Sequence, residues 1–224
     1  MELRKIQYYF DLRGFKHRKL FKGNKYIFGF LKILPAYIKK NLKPRILGTV
    51  MDGARVDSGV YLGRGSIVQP GAWIKGPAII GDNCEIRHGA FIGANVICGD
   101  NVVIGHATEV HNSVFLNGAK APHFTFVGHS VLGNNVNLGA GTKLSNLKIT
   151  ANEIEIEGIK TSLTKIGAVI GDNSSLGCNT VTQPATFIGK KVFGYPNLLL
   201  RGFLPSKSVV KLRQNQEITA LNEN

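Results

Sequence analysis

IKGPAIIGDNCEIRHGAFIGANVIC, residues 74–98, places an aliphatic side chain at every sixth position: Ile74, Ile80, Ile86 and Ile92, with the small Cys98 closing the run. The same phase runs back through Val68, Leu62 and Val56 to Val50, and forward through Ile104 and Val110 to Leu116. Gly often follows directly, as at Leu62-Gly63, Ile80-Gly81 and Ile104-Gly105. A period of six matches neither the 3.6 of a helix nor the 2 of an ordinary strand. It matches a triangular coil in which each hexad supplies one short strand, one inward side chain and one corner. Three hexads close a turn, and successive turns stack at the usual strand spacing of about 4.8 Å. Asp82-Asn83, Asp100-Asn101, Asn134-Asn135 and Asp172-Asn173 fall where such corners need unusual backbone angles. No single repeat buries its own apolar side, so the stack itself is the core. The expected class is all-β: a parallel β-helix of hexapeptide repeats over residues 46–205, preceded by a short helical segment.

The phase breaks twice. Between residues 117 and 125 the hexads stop, then resume through Phe126, Leu132, Leu138 and Leu144. Between 147 and 165 they stop again, resuming with Ile170, Leu176 and Ile188. Both breaks are expected to be loops thrown out of the stack, and loops on a rigid scaffold often carry function. Residues 1–45 hold no hexads but many aromatics, among them Tyr8, Tyr9, Phe10, Phe15, Phe21 and Phe30. One or two helices are expected there, with Pro35 kinking or ending one. The segment is expected to cap the open end of the coil, and residues 206–224 to form a C-terminal tail.

At 224 residues, 43% hydrophobic and 19% charged, the chain does not belong to a disordered class. No run of about 18 apolar residues exists, so no membrane-spanning helix is expected. The N-terminus lacks the apolar region and small-residue cleavage site of a signal peptide. Cys84, Cys98 and Cys178 have no CxxC spacing and read as buried apolar residues of a reducing compartment. The cytoplasm is the expected location. The formal charge is +14, but residues 1–45 alone hold thirteen Lys and Arg against Glu2 and Asp11. The basicity belongs to that segment. A basic membrane-surface face, with Lys39 and Lys40 near its end, is the alternative to a plain cap; no nucleic-acid-reading motif accompanies the charge.

The chemistry concentrates between residues 118 and 146: Gly118-Ala-Lys-Ala-Pro-His123-Phe-Thr-Phe-Val-Gly128, then Leu132-Gly-Asn-Asn-Val-Asn137-Leu-Gly-Ala140-Gly-Thr, and Asn146. This block resembles the acetyltransferase domain of bifunctional glucosamine-1-phosphate acetyltransferase/uridylyltransferases, and most of all the archaeal-type sugar-phosphate nucleotidyltransferase/acetyltransferases. The resemblance extends over about residues 50–205. It implies a left-handed coil, a homotrimer, acetyl-CoA as co-substrate and an amino-sugar phosphate as acceptor. On it, His123 falls on the catalytic histidine, and an imidazole with a pKa near 6.5 suits removal of a proton from an attacking amine. Asn137 and Asn146 match sugar-contacting asparagines, and Lys165 a phosphate- or sugar-binding lysine. Ala140 falls where a backbone N–H meets the acetyl group, which would stabilise an oxyanion. Cys178 falls along the pantetheine, and Lys190, Lys191, Arg201 and Lys207 are candidates for the CoA phosphates. Each also has a plainer reading: a corner residue for His123, a turn for Asn137, core packing for Cys178, solvated lysines for the rest.

Three positions depart from the pattern. The phosphate-clamping arginine falls on Gly93, a lysine on His111 and a substrate-contacting tyrosine on Phe126. Losing a bidentate guanidinium alters phosphate recognition, and Arg87, on another face, is not placed to replace it. No nucleotide-binding half accompanies the repeats, so a stand-alone acetyltransferase is expected.

A second constellation competes. His106-Ala-Thr-Glu-Val-His111 resembles the zinc segment of γ-class carbonic anhydrases, with His88 as a third ligand across a subunit boundary. The 118–146 block has no place in such an enzyme, so no metal is expected. The third alternative is a non-catalytic β-helix that binds a partner or membrane through its basic N-terminus.

Overall fold

The computed structural model describes residues 2–220. From Arg45–Ile46 to Val209–Val210, strands of two to four residues run parallel in three sheets of nine, nine and eight strands. These are faces A, B and C of a left-handed triangular prism of about 9 turns. Ile80, Ile86, Ile92, Cys98, Ile104 and Val110 all point into the prism with no exposed surface. Ile80 pairs with Cys98 and Ile86 with Ile104, so the eighteen-residue turn is met there residue for residue. β-branched side chains suit this because each must stand off a pleated strand and stack on its neighbour. The coil runs past its expected end at residue 205 to Val210.

Residues 117–125 are not a loop. Cys98 pairs with Phe115 and Ile104 with Ala121, so the coil tightens instead of opening. The corner at Asn112 (φ 45°) and the one at His129 (φ 51°) each place one residue in the left-handed region, with one residue fewer than the earlier corners. Two five-residue steps result, Val110 to Phe115 and Val127 to Leu132. Phe115, Ala121 and Val127 therefore fill the core, while Leu116 and Phe126, expected inward from the six-residue phase, face outward.

Residues 147–165 do leave the prism. Val131 pairs with Val169, 38 positions on, and the inserted chain carries a hairpin of Glu155–Ile156 and Ile159–Lys160. Glu157 and Gly158 turn it, both at positive φ as a two-residue hairpin turn requires.

The N-terminal segment holds α1 (Ile6–Tyr9) and α2 (Phe30–Asn41). α2 continues through Pro35, which lies on its exposed side. Phe30, Leu31, Leu34 and Ile38 of α2, with Tyr9, Phe10 and Phe15, pack on Ile97, Val114, Val131, Val169 and Phe187 of face A. Ile154 and Ile156 of the excursion join this second core. The segment thus covers a flank of the prism and not its open end, where Ile46, Val50 and Met51 stay 46%, 38% and 44% exposed. The reason lies in face A, whose strands are apolar on both sides and need cover as any doubly buried sheet does. Polar contacts pin the layer: the Asp11 N–H donates to Asp172 Oδ2 at 2.6 Å, and Lys16 bridges Asp82 (2.8 Å) and Asp100 (3.1 Å). No helix among the described residues is long and apolar enough to cross a membrane.

Candidate active site

Most of the expected site residues fall on two edges of face C. Along the B–C edge, His88, His106, His123, Ala140 and Cys178 form one column. The N–H of the residue after each donates to the carbonyl one turn back: Ala107 to His88 (3.3 Å), Phe124 to His106 (2.9 Å), Gly141 to His123 (3.1 Å) and Asn179 to Ala140 (2.8 Å). The His88 and His106 rings stack 5.4 Å apart and nearly parallel. Each places Nδ1 on a carbonyl, Pro70 at 2.7 Å and His88 at 3.0 Å. A carbonyl only accepts, so both Nδ1 atoms carry the proton. Phe124, 58% exposed, stands edge-on to His106. His123 is exposed, in register with His106, and its ring has no hydrogen-bond partner among the described residues. One and two turns further on, the Ala140 and Cys178 N–H groups donate to no group among the described residues. Cys178 is exposed, not buried, because it is a corner residue; Cys84 and Cys98 are buried as expected. Asn137 stands on the outer side of face B, paired with Lys120 and Ser175.

The C–A edge carries a half-buried polar cluster. Asn146, 9% exposed, places Nδ2 2.9 Å from His129 Nδ1 and 3.4 Å from His111 Nε2. An amide nitrogen only donates, so in this arrangement both ring nitrogens present lone pairs and both rings are neutral. His111 Nδ1 faces Glu109 Oε1 at 3.4 Å, and the Phe126 ring meets His111 edge-on. Burial lowers the His111 pKa against the opposing pull of Glu109. Burial, then His111, then Lys165 push His129 down to about 4. Lys165 closes the excursion through a bridge to Leu147, and the next N–H, of Ile166, donates to the Asn146 carbonyl at 2.9 Å. Gly128 gives the cluster its room: a Cβ there would lie 2.7 Å from His111 Nε2 and 3.0 Å from Phe126 Cζ. His129 was not among the expected residues. Its only trace in the sequence is the five-residue step from Val127 to Leu132.

Several expected groupings do not form. Lys190, Lys191 and Lys207 stand on the A–B edge, where Lys190 Nζ lies 3.8 Å from Asp172, while Arg201 follows Leu200 on face C. They make no common phosphate site, because three of them stack on a different corner. His106 and His111 lie at opposite edges of face C, and among the described residues no three His, Cys, Asp or Glu side chains converge on a metal position.

Residues 74–161 match the family model described as the GMPPB C-terminal domain. A bifunctional sugar-1-phosphate nucleotidylyltransferase/acetyltransferase of Sulfurisphaera tokodaii is 35% identical over 98 residues, 42% of this chain and 24% of that protein. Over this stretch the chain is similar to a bifunctional sugar-1-phosphate protein. Another such relative, a bifunctional protein GlmU of Methanococcus aeolicus, matches over 178 residues at 29% identity, 78% of this chain and 43% of that protein. The chain spans less than half the length of either relative. Among solved structures, a UDP-N-acetylglucosamine acyltransferase from Campylobacter jejuni aligns with a TM-score of 0.49 at 15% identity, over 70% of this chain and 69% of that one.

Proposed function

We propose that this protein transfers an acetyl group from acetyl-CoA to the amine of an amino-sugar phosphate, as a homotrimer whose sites lie where copies meet. The observation that carries the reading is the alignment, along the B–C edge, of the unencumbered His123 imidazole with the unpaired Ala140 N–H one turn on. The name of the Sulfurisphaera relative, which joins acetyl transfer to a sugar 1-phosphate, supports the acyl group and the sugar-phosphate class.

His123 takes a proton from the acceptor amine as its nitrogen attacks the thioester carbonyl carbon. The Ala140 N–H donates to the oxygen that becomes negative, where a fixed donor is worth most. The tetrahedral species then collapses: the carbon–sulfur bond breaks, the thiolate takes the proton from the imidazolium, and amide and free CoA leave. Cys178, one turn beyond Ala140, lines the path of the pantetheine, and Arg201 is the remaining cation for its phosphates. Asn137 and Asn146 orient acceptor hydroxyls, Phe126 packs on the sugar, and Lys165 holds the phosphate with His111 beside it. With Gly93 contributing no side chain, Lys165 is the main cation of that grip.

Between His123 and Gly128, at the two edges of face C, the chain turns the corner at Phe124 (φ 49°) and then runs extended through Phe126–Gly128, which sets the edges on the order of 10 Å apart. One sugar does not span that width, so His123 works against the C–A edge of a neighbouring copy. Faces B and C, free of the N-terminal layer, are the ones available to a three-fold assembly. The test is thiol release from acetyl-CoA with a panel of amino-sugar phosphates. Turnover is expected, falling about 10²–10⁴-fold in His123→Ala with acetyl-CoA binding retained. Absence of turnover with every acceptor counts against the proposal.

A further inference from the structure

Residues 12–51 contain no Asp or Glu but eleven Lys and Arg, from Arg13 to Arg45. All eleven are exposed. Arg13 pairs with Asp11, and Lys16 with Asp82 and Asp100; the other nine have no carboxylate partner among the described residues. The fold explains why they gather on one side. α2 spends Phe30, Leu31, Leu34 and Ile38 on face A, which leaves Lys32, Lys39 and Lys40 on its solvent side. Lys19 and Lys22 project from the 3₁₀ turn Arg18–Phe21, whose Leu20 and Phe21 are buried in the same core. The layer packs on face A from Ile97 to Phe203, six of its nine strands, on the order of 25 Å at the usual strand spacing. It is broad and positive.

Its composition separates the polyanions it would fit. A single-stranded nucleic acid is held by aromatic rings that stack on bases, yet Tyr9, Phe10, Phe15, Phe21, Phe28 and Phe30 are all buried against the prism. Base and phosphate readers favour the forked guanidinium, whereas eight of these eleven cations are lysines. Compact ammonium groups on long stems suit a diffuse negative plane, which needs no directional match. α2 spends its large apolar side chains on face A except Ile33, 37% exposed among lysines, which is too little apolar surface to sink into acyl chains as an amphipathic anchor does.

We propose that this flank docks on an anionic bilayer surface, held by Lys19, Lys22, Lys32, Lys39 and Lys40 through charge alone and without insertion. The association is independent of the catalytic reading.

The experiment is co-sedimentation of the full chain with phosphatidylcholine vesicles, with and without phosphatidylglycerol, at low and high salt. Binding is expected only to the anionic vesicles and is lost at high salt, because surface charges are screened within a Debye length. Lys32→Glu/Lys39→Glu/Lys40→Glu should weaken it at least about a hundredfold, given roughly fivefold per juxtamembrane lysine. A control of equal charge outside the N-terminal layer, Arg64→Glu on the coil with Lys211→Glu/Arg213→Glu in the C-terminal tail, should bind within a few-fold of wild type. Circular dichroism and urea midpoints verify that both variants fold; should the first not fold, Lys→Gln at the same positions replaces it. Equal loss in both triples, equal binding to neutral vesicles, or preference for duplex DNA over anionic vesicles in competition would overturn the proposal.

Discussion

His129 turns a corner alone, at φ 51°, and holds its ring against Asn146 and His111 in a half-buried cluster. Its pKa falls to about 4 there, against about 6.5 in the unfolded chain. The folded state therefore binds fewer protons than the unfolded one across that window. Its contribution is fully present above pH 6.5 and is lost as pH falls towards 4, with His111 adding in the same direction. The groups facing it are His111, Asn146 and Lys165, with Glu109 on the far side of His111. Asn tolerates the left-handed corner, so His129→Asn removes the titration without breaking the turn. Urea midpoints at pH 7 and 4.5 should show wild type losing on the order of 2 kcal/mol more than the variant between the two values. Parallel pH profiles would show that the ring is solvated and the cluster loose.

At the scale of elements, the second core over face A is what the six-residue phase could not reveal. Val114, Phe115 and Leu116 are all buried, Phe115 in the prism and the other two under the N-terminal layer. Where both sides of a strand are apolar, a one-residue slip still lands on an apolar side chain, so the tightened corner at Asn112 looked like a loop further along. Where outward positions are polar, as at Glu85, Arg87 and Asn137, the phase was legible and the inward residues fell in place. The excursion at 147–165 was legible because it breaks the phase for longer than one corner. His123 was visible through its sequence block, whereas His129 was not, since a single corner residue carries no periodic signal. The layer over face A is integral to stability. Phe10, 1% exposed between Tyr9 and Phe21, should cost about 3–5 kcal/mol as Phe10→Ala. A chemical melt measures this directly, and a loss below about 1 kcal/mol would mean the flank is only loosely covered.

For the molecule as a whole, covering one flank decides what the other two can do. Face A is closed by its own chain, so faces B and C and the edge between them are left for other copies. The proposed proton acceptor lies on that shared edge, and the Asn146–Lys165 cluster lies on the other edge of face C. On the proposed reading, neither alone assembles acceptor and thioester. The most direct measurement mixes two inactive proteins, His123→Ala and Asn146→Ala/Lys165→Ala, by co-refolding, and follows thiol release from acetyl-CoA with the best amino-sugar phosphate. Random reassembly into trimers places an intact pair at about a quarter of the boundaries, so activity should return to roughly a quarter of wild type. A mixture no more active than its parents would contradict a site shared between copies.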